Sequence, residues 1–175
     1  MFFKKRSVDI IPVISALMLV FVVMAFMIWP YSAEAELNLN APQIQDKTLT
    51  PGALNPSVSL TTDMKVLCVA GYSKTVRNVP ESLKNKVYVS YGITQRDRGE
   101  YEIDHLCSLE LGCSNSQLNL WPQSYKTQPW NAFKKDHLEN RLHALACAGT
   151  ITFADAQREI SEDWIAAYRK YIGED

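Results

Sequence analysis

A surplus of charge of either sign is missing: 18 Lys and Arg face 19 Asp and Glu, a formal net of −1. Without a global basic field, any nucleic-acid binding must rest on a local patch. Glycine and proline are scarce, at 7 and 8 of 175 residues, which excludes a collagen-like chain. Only 21% of residues are charged while 47% are hydrophobic, so a disordered chain is excluded as well and one modest domain with its own core fits the length. No internal repeat runs through residues 63–175. The paired C-x-x-C spacing of a structural zinc site is absent from Cys68, Cys107, Cys113 and Cys147.

What is present begins at the N-terminus. Lys4, Lys5 and Arg6 precede an apolar run over residues 10–29, long enough to cross roughly 30 Å of hydrocarbon at helical rise. The basic flank favours an N-terminus left in the cytoplasm and a C-terminal part on the far side of the membrane. Residues 1–35 therefore read as a signal peptide or a signal anchor. Ala33-Glu34-Ala35 offers a small-residue cleavage site, whereas the length of the run favours retention. Export places the cysteines where thiols oxidise, which favours two disulfides over a metal site.

Residues 36–62 are rich in Asn, Pro, Thr and Ser, with Pro42, Pro51 and Pro56 breaking any helical period, and read as a flexible linker. The domain proper is expected at 63–175. Its pattern predicts an extended stretch from Val66 to Val79, then a helix from Pro80 to Gly92. A strand or hairpin follows over Tyr101–Leu111, broken at Gly112-Cys113-Ser114-Asn115. Further helices are expected over Asn131–Cys147 and from Thr152, where Thr152 and Asp155 form a capping pattern. The sum is a small α+β arrangement.

Chemistry concentrates in three places: Tyr101-Glu102-Ile103-Asp104-His105, then Leu118-Asn119-Leu120-Trp121-Pro122, then the helix bearing Lys135-Asp136-His137-Leu138-Glu139-Asn140-Arg141-Leu142-His143. An Asp-His pair at a strand end, a later Asn and a helix with ligand-type side chains make a ββα layout. These residues resemble the HNH endonucleases of the His-Me finger, or ββα-metal, group, in particular small exported members. The likeness runs from Cys68 to Tyr171. It implies His105 as the general base that takes a proton from water, and Asn119 as the residue that pins the loop and orients that histidine. It also implies Asp104 as a ligand to a divalent cation, Mg²⁺ or Mn²⁺.

At 100° per residue Asp136, Asn140 and His143 share one helix face, with Leu138, Leu142 and Leu145 opposite, so position does not choose among them. The resemblance selects Asn140 as the helix ligand, with Asp136 next. Arg141, Lys134 and Lys135 are the candidates for phosphate contact. Plainer readings stand beside these: Asp136 as a first-turn carboxylate favoured by the helix dipole, His143 as a packing residue, the two lysines as a solvated face, and Trp121, Trp130 and Trp164 as core. Adjacent strand residues point to opposite faces, so Asp104 and His105 converge on one phosphate only at a strand end or bulge, and an irregularity is expected there.

Of the three disulfide connectivities, Cys68–Cys147 with Cys107–Cys113 is favoured. The first would tie the domain's opening to the end of the ligand-bearing helix and stabilise by ~2–4 kcal/mol; the second would brace the hairpin after His105. In similar sequences the positions of Cys107 and Cys113 are more often aliphatic and Gly. The expectation is an exported, metal-dependent endonuclease acting on nucleic acid, DNA rather than RNA by resemblance, with no protein partner evident. The alternatives are an inactive membrane-tethered module of the same fold, and a metal-dependent phosphoesterase for small substrates.

Overall fold

The computed structural model describes residues 44–56 and 64–173. The apolar segment 10–29 and the boundary at 33–35 lie outside the described residues, among which no helix is long and apolar enough to cross a membrane.

The chain order is α1 (Met64–Leu67), α2 (Tyr72–Val76), α3 (Glu81–Ser90), β1 (Tyr101–His105), two 3₁₀ turns at Leu109–Leu111 and Gln117–Asn119, β2 (Leu120–Ser124), α4 (Ala132–Cys147) and α5 (Phe153–Tyr171). β1 and β2 form an antiparallel hairpin that packs against helices, giving a small α+β domain. Residues 66–79 are helical in two short pieces rather than extended. Val66 and Val69 stay exposed while Leu67 is buried, so no strand-like alternation holds, and Gly71 at φ 81 turns the chain between the pieces.

Local chemistry explains the longer helices. Pro80, with extended ψ, precedes α3, and Gly92 at φ 73 closes it as the Ile93 N–H donates to the Tyr88 carbonyl at 2.9 Å. Asn131 caps α4 by accepting from the Lys134 N–H at 3.2 Å. Thr152 caps α5 through its Oγ1, which accepts from the Asp155 N–H at 3.0 Å. Within α5, Asp163 leaves helical geometry (φ −159, ψ 92), and its Oδ1 accepts from the N–H groups of Ile165 (3.1 Å) and Ala166 (3.0 Å). It thereby starts the last turns afresh.

The core lies between α4 and α5, where Leu138, Leu142, Phe153, Ile160, Trp164 and Tyr168 meet Leu67 and Leu111. Each such side chain contributes about 1.5–3 kcal/mol by leaving water. Disulfides join Cys68 to Cys147 and Cys107 to Cys113; the second pair is buried in this core. Residues 44–56, part of the stretch whose composition reads as a linker, run along the domain. The Gly52 N–H donates to the Leu118 carbonyl at 2.9 Å, Thr50 Oγ1 to that of Leu120 at 2.8 Å and the Asn55 N–H to that of Gly112 at 3.1 Å. Gln45 Nε2 reaches the Ser161 carbonyl at 3.1 Å.

Candidate functional site

β1 and β2 pair in unbroken register, Asp104 opposite Trp121 and His105 opposite Leu120, and the Leu106 N–H continues the ladder to the Asn119 carbonyl at 2.8 Å. No bulge interrupts the pairing, and His105 is the last residue of β1, the strand-end alternative. Regular pleating sends the Asp104 and His105 side chains to opposite faces, and they meet different partners.

His105 is 1% exposed. Its Nε2 lies 3.1 Å from Asn115 Oδ1 and its Nδ1 3.5 Å from Arg77 Nη1. Asn115 is itself fixed: its Nδ2 donates to the Val76 carbonyl at 2.8 Å, and its Oδ1 accepts from the Asn78 N–H at 3.1 Å. The amide oxygen therefore faces the ring, Nε2 must carry the hydrogen, and the lone pair sits on Nδ1 under the Arg77 guanidinium. Burial lowers the His105 pKa to about 4; Asp104 opposes that shift while Arg77 and Lys135 assist it. At neutral pH the ring is an uncharged acceptor aimed at Arg77.

On the opposite face, Asp104 Oδ2 accepts from Lys135 Nζ at 2.6 Å. The same ammonium donates to the His105 carbonyl at 2.8 Å and to Glu139 Oε1. Lys135 is wholly buried, so the phosphate-contact reading of this residue is corrected. A helix interval of three, four and four residues puts Lys135, Leu138, Leu142 and Ala146 on one buried stripe, and the ammonium finds its counter-charges inside the protein. Burial pulls Lys135 toward neutrality, but Asp104 and Glu139 more than offset this and hold it charged. Burial pushes the Glu139 carboxyl up; Lys135 pulls against this, and Asp104 adds to it.

The other helix candidates separate. Asp136 is exposed next to this cluster; desolvation and then Asp104 raise its carboxyl, while Lys135 and Arg77 lower it. Asn140 is exposed and its Nδ2 donates to the Asp136 backbone carbonyl at 2.8 Å. Arg141 turns its Nε toward the Tyr171 carbonyl at the far end of α5, 3.4 Å away, and the Lys134 ammonium lies over the rings of Trp130 and Tyr168. His143 packs between the Leu67 carbonyl, 2.9 Å from Nε2, and the Phe153 ring. Trp121 and Trp164 are fully buried, and Trp130 stands edge-on to Trp164.

Asn119 is buried and pins the connection between the strands. Its Oδ1 accepts from the Cys107 N–H at 3.0 Å, and its Nδ2 donates to the carbonyls of Cys107 and Ser114, both at 2.9 Å. The ring of His105 is oriented by Asn115 instead. Sequence reading missed Asn115, Arg77 and Glu139. The spacing of Lys135 and Glu139, one turn apart with Lys135 on the leucine stripe, is a signal for the buried pair.

Arg77 also lines a cleft of about 710 Å³ between the 77–84 segment and the 96–103 segment. Lys84, Arg96 and Arg98 line it too, against Glu81, Asp97 and Glu102, with Tyr88 and Tyr101 in the wall. The Arg96 guanidinium stacks 3.7 Å from the Tyr88 ring centroid and donates to Asn85 Oδ1 at 3.0 Å. The cleft thus carries four cations against three carboxylates on a chain of net charge −1, with Lys84 paired to Glu81 at 3.4 Å. Behind β1, Glu102, Asp104, Asp136 and Glu139 act electrostatically on one another around the single ammonium of Lys135. Glu102 Oε1 is buried without a hydrogen-bond partner, and burial raises that carboxyl. No protein-family model, curated protein or solved structure matches the chain.

Proposed function

We propose that this domain is a metal-dependent endonuclease of the HNH, His-Me finger type that hydrolyses phosphodiester bonds in nucleic acid, with DNA the expected substrate. The observation that carries the reading is the position of Arg77, which lines the cleft and whose guanidinium covers the lone-pair nitrogen of His105.

A phosphate entering the cleft competes for Arg77, since a guanidinium prefers a bidentate anion to a neutral imidazole. Drawn to the phosphate, Arg77 uncovers Nδ1. That nitrogen takes a proton from water, and the hydroxide attacks phosphorus as the bridging oxygen departs. Asn115 holds the tautomer in place while the imidazole becomes charged, and its Oδ1 then accepts from the N–H of the imidazolium. Asp104 and Asp136, with Glu102 beside them, would hold a divalent cation that would neutralise phosphate charge and stabilise the leaving oxygen; Arg77 and Asp104 act electrostatically on both His105 and Asp136, so the strand end at His105 is where ring and cation would address one phosphate. Lys135 holds the Asp104 carboxylate in place.

The two disulfides support an oxidising compartment, in keeping with export through segment 10–29 as a cleaved or retained signal. The near-zero net charge confines binding energy to the groove, so binding is salt-sensitive. The test is plasmid nicking by the purified full-length protein with Mg²⁺, Mn²⁺ or chelator, beside His105→Ala and Arg77→Ala. Wild type nicks only with a divalent ion, and His105→Ala loses roughly 10²–10⁴-fold in rate. Equal nicking by wild type and His105→Ala overturns the assignment. An intact plasmid together with hydrolysis of a simple aryl phosphodiester points to the small-molecule phosphoesterase. No turnover of either points to the inactive module.

A further inference from the structure

The Cys68–Cys147 disulfide has an unused neighbour. His143 precedes Cys147 by one helical turn on α4, so both reach the same surface, and its Nε2 lies 3.4 Å from Cys147 Sγ. Cys68 comes in from the end of α1. Its Sγ, the Cys147 Sγ and a ring nitrogen of His143 all lie within 4.8 Å of one another. We propose that, once this disulfide is reduced, Cys68, His143 and Cys147 form a three-ligand site for Zn²⁺.

Tetrahedral zinc with Zn–S of about 2.3 Å and Zn–N of about 2.0 Å needs its donors roughly 3.5–3.8 Å apart; the His143 nitrogen, 3.4 Å from Cys147 Sγ, already stands near that spacing, and the two sulfurs part to it once their bond is broken. Two thiolates and an imidazole are a borderline-soft set, which separates this site chemically from the carboxylate cluster behind β1. Three protein ligands leave the fourth position to water or an incoming group.

The chemistry balances with a dithiol as reductant. Thiolate attack breaks the Sγ–Sγ bond, the dithiol becomes a disulfide, and Cys68 and Cys147 gain two electrons and two protons as thiols. Zn²⁺ then displaces both thiol protons to solvent. His143 binds through Nε2, so the hydrogen that Nε2 directs at the Leu67 carbonyl, 2.9 Å away, is lost to solvent and Nδ1 takes one up. Access favours this bridge: Cys68 and Cys147 are exposed, whereas Cys107 and Cys113 are each 1% exposed. The metal and the disulfide are then alternative cross-links between the same two points, 79 residues apart.

The experiment uses the full-length protein, reduced by a phosphine that is removed under nitrogen, and titrated with Zn²⁺ against a chromophoric chelator, with Co²⁺ as spectroscopic probe. One Zn²⁺ per chain and a thiolate-to-Co²⁺ charge-transfer band are expected, both absent in the oxidised protein and in Cys68→Ser/Cys147→Ser. His143→Ala weakens Zn²⁺ by at least about tenfold. If reduction lowers Tm, Zn²⁺ raises it again in wild type but not in the double serine variant. Equal Zn²⁺ binding by the oxidised protein, by the double serine variant or by His143→Ala overturns the proposal, as does a reduced wild type that binds none or that Zn²⁺ leaves unfolded.

Discussion

Replacing Lys135 by Met tests the internal ion cluster most directly. Lys135 is 0% exposed, and its ammonium donates to Asp104 Oδ2 at 2.6 Å, to the His105 carbonyl at 2.8 Å and to Glu139. Methionine fills the space of the stem but leaves two carboxylates and a carbonyl without their donor. Breaking a buried pair from one side costs about 3–5 kcal/mol, a large share of the roughly 5–15 kcal/mol available to a domain. For a domain of this size that is a drop of roughly 10–20 °C in Tm. The deficit depends on pH with a definite sign. Without the ammonium, the folded-state pKa of Glu139, already raised by burial, rises further above its unfolded value. The folded variant then binds the extra proton, so the deficit is smallest in acid and grows as pH rises above the unfolded Glu139 value. Adding Asp104→Asn recovers part of the loss, because one of the stranded charges is gone. Urea unfolding of wild type, the single variant and the double variant at pH 5 and pH 8 measures all of this. A loss below about 1 kcal/mol, the cost of a solvated surface lysine, refutes the reasoning, as does a deficit indifferent to pH and to Asp104→Asn.

His105, with its pKa lowered to about 4 in the fold from 6.5, contributes stability that is complete above pH 6.5 and is lost as pH falls toward 4. This group alone accounts for about 3 kcal/mol, and His105→Gln removes that acid slope from the urea midpoint. Asn119→Ala strips the Cys107 N–H and the Cys107 and Ser114 carbonyls of their partners and costs about 2–4 kcal/mol, read from thermal unfolding; an unchanged Tm contradicts the pinning role. Arg98→Ala leaves folding intact but lowers the slope of log affinity against log salt for an oligonucleotide by about one, whereas an unchanged slope removes the cleft from the binding surface.

Much of the domain is legible along the chain because the signals are local. Asn131 and Thr152 announce their helices, Pro80 and Gly92 bracket α3, and the leucines of α4 mark its core face. The two disulfides follow the favoured pairing. What escaped depends on tertiary partners. Residues 66–79 carry enough valine to read as a strand, yet packing selects Leu67 alone and the Cys68 bridge fixes where the chain goes. Arg77 meets a ring 28 positions away, and Asn115 earns its orientation from Val76 and Asn78, contacts that no periodicity encodes. Lys135 shows the reverse case: charge suggested solvent, although its spacing to Leu138 and Leu142 placed it inside.

The run from Gln45 to Asn55 has a mechanical consequence. Its hydrogen bonds join it to Tyr91, Gly112, Ser114, Leu118, Leu120 and Ser161, so a pull from the N-terminal side is delivered to the end of α3, to the 106–119 connection and to α5 before it reaches β1. Gly52, at φ 88, sits so close to Ser161 that a Cβ there would come within 3.0 Å of Oγ, which leaves this seam little slack. The load-tolerant unit therefore includes the run from Gln45 onward, and trimming to residue 63 would loosen the loop that carries Asn115.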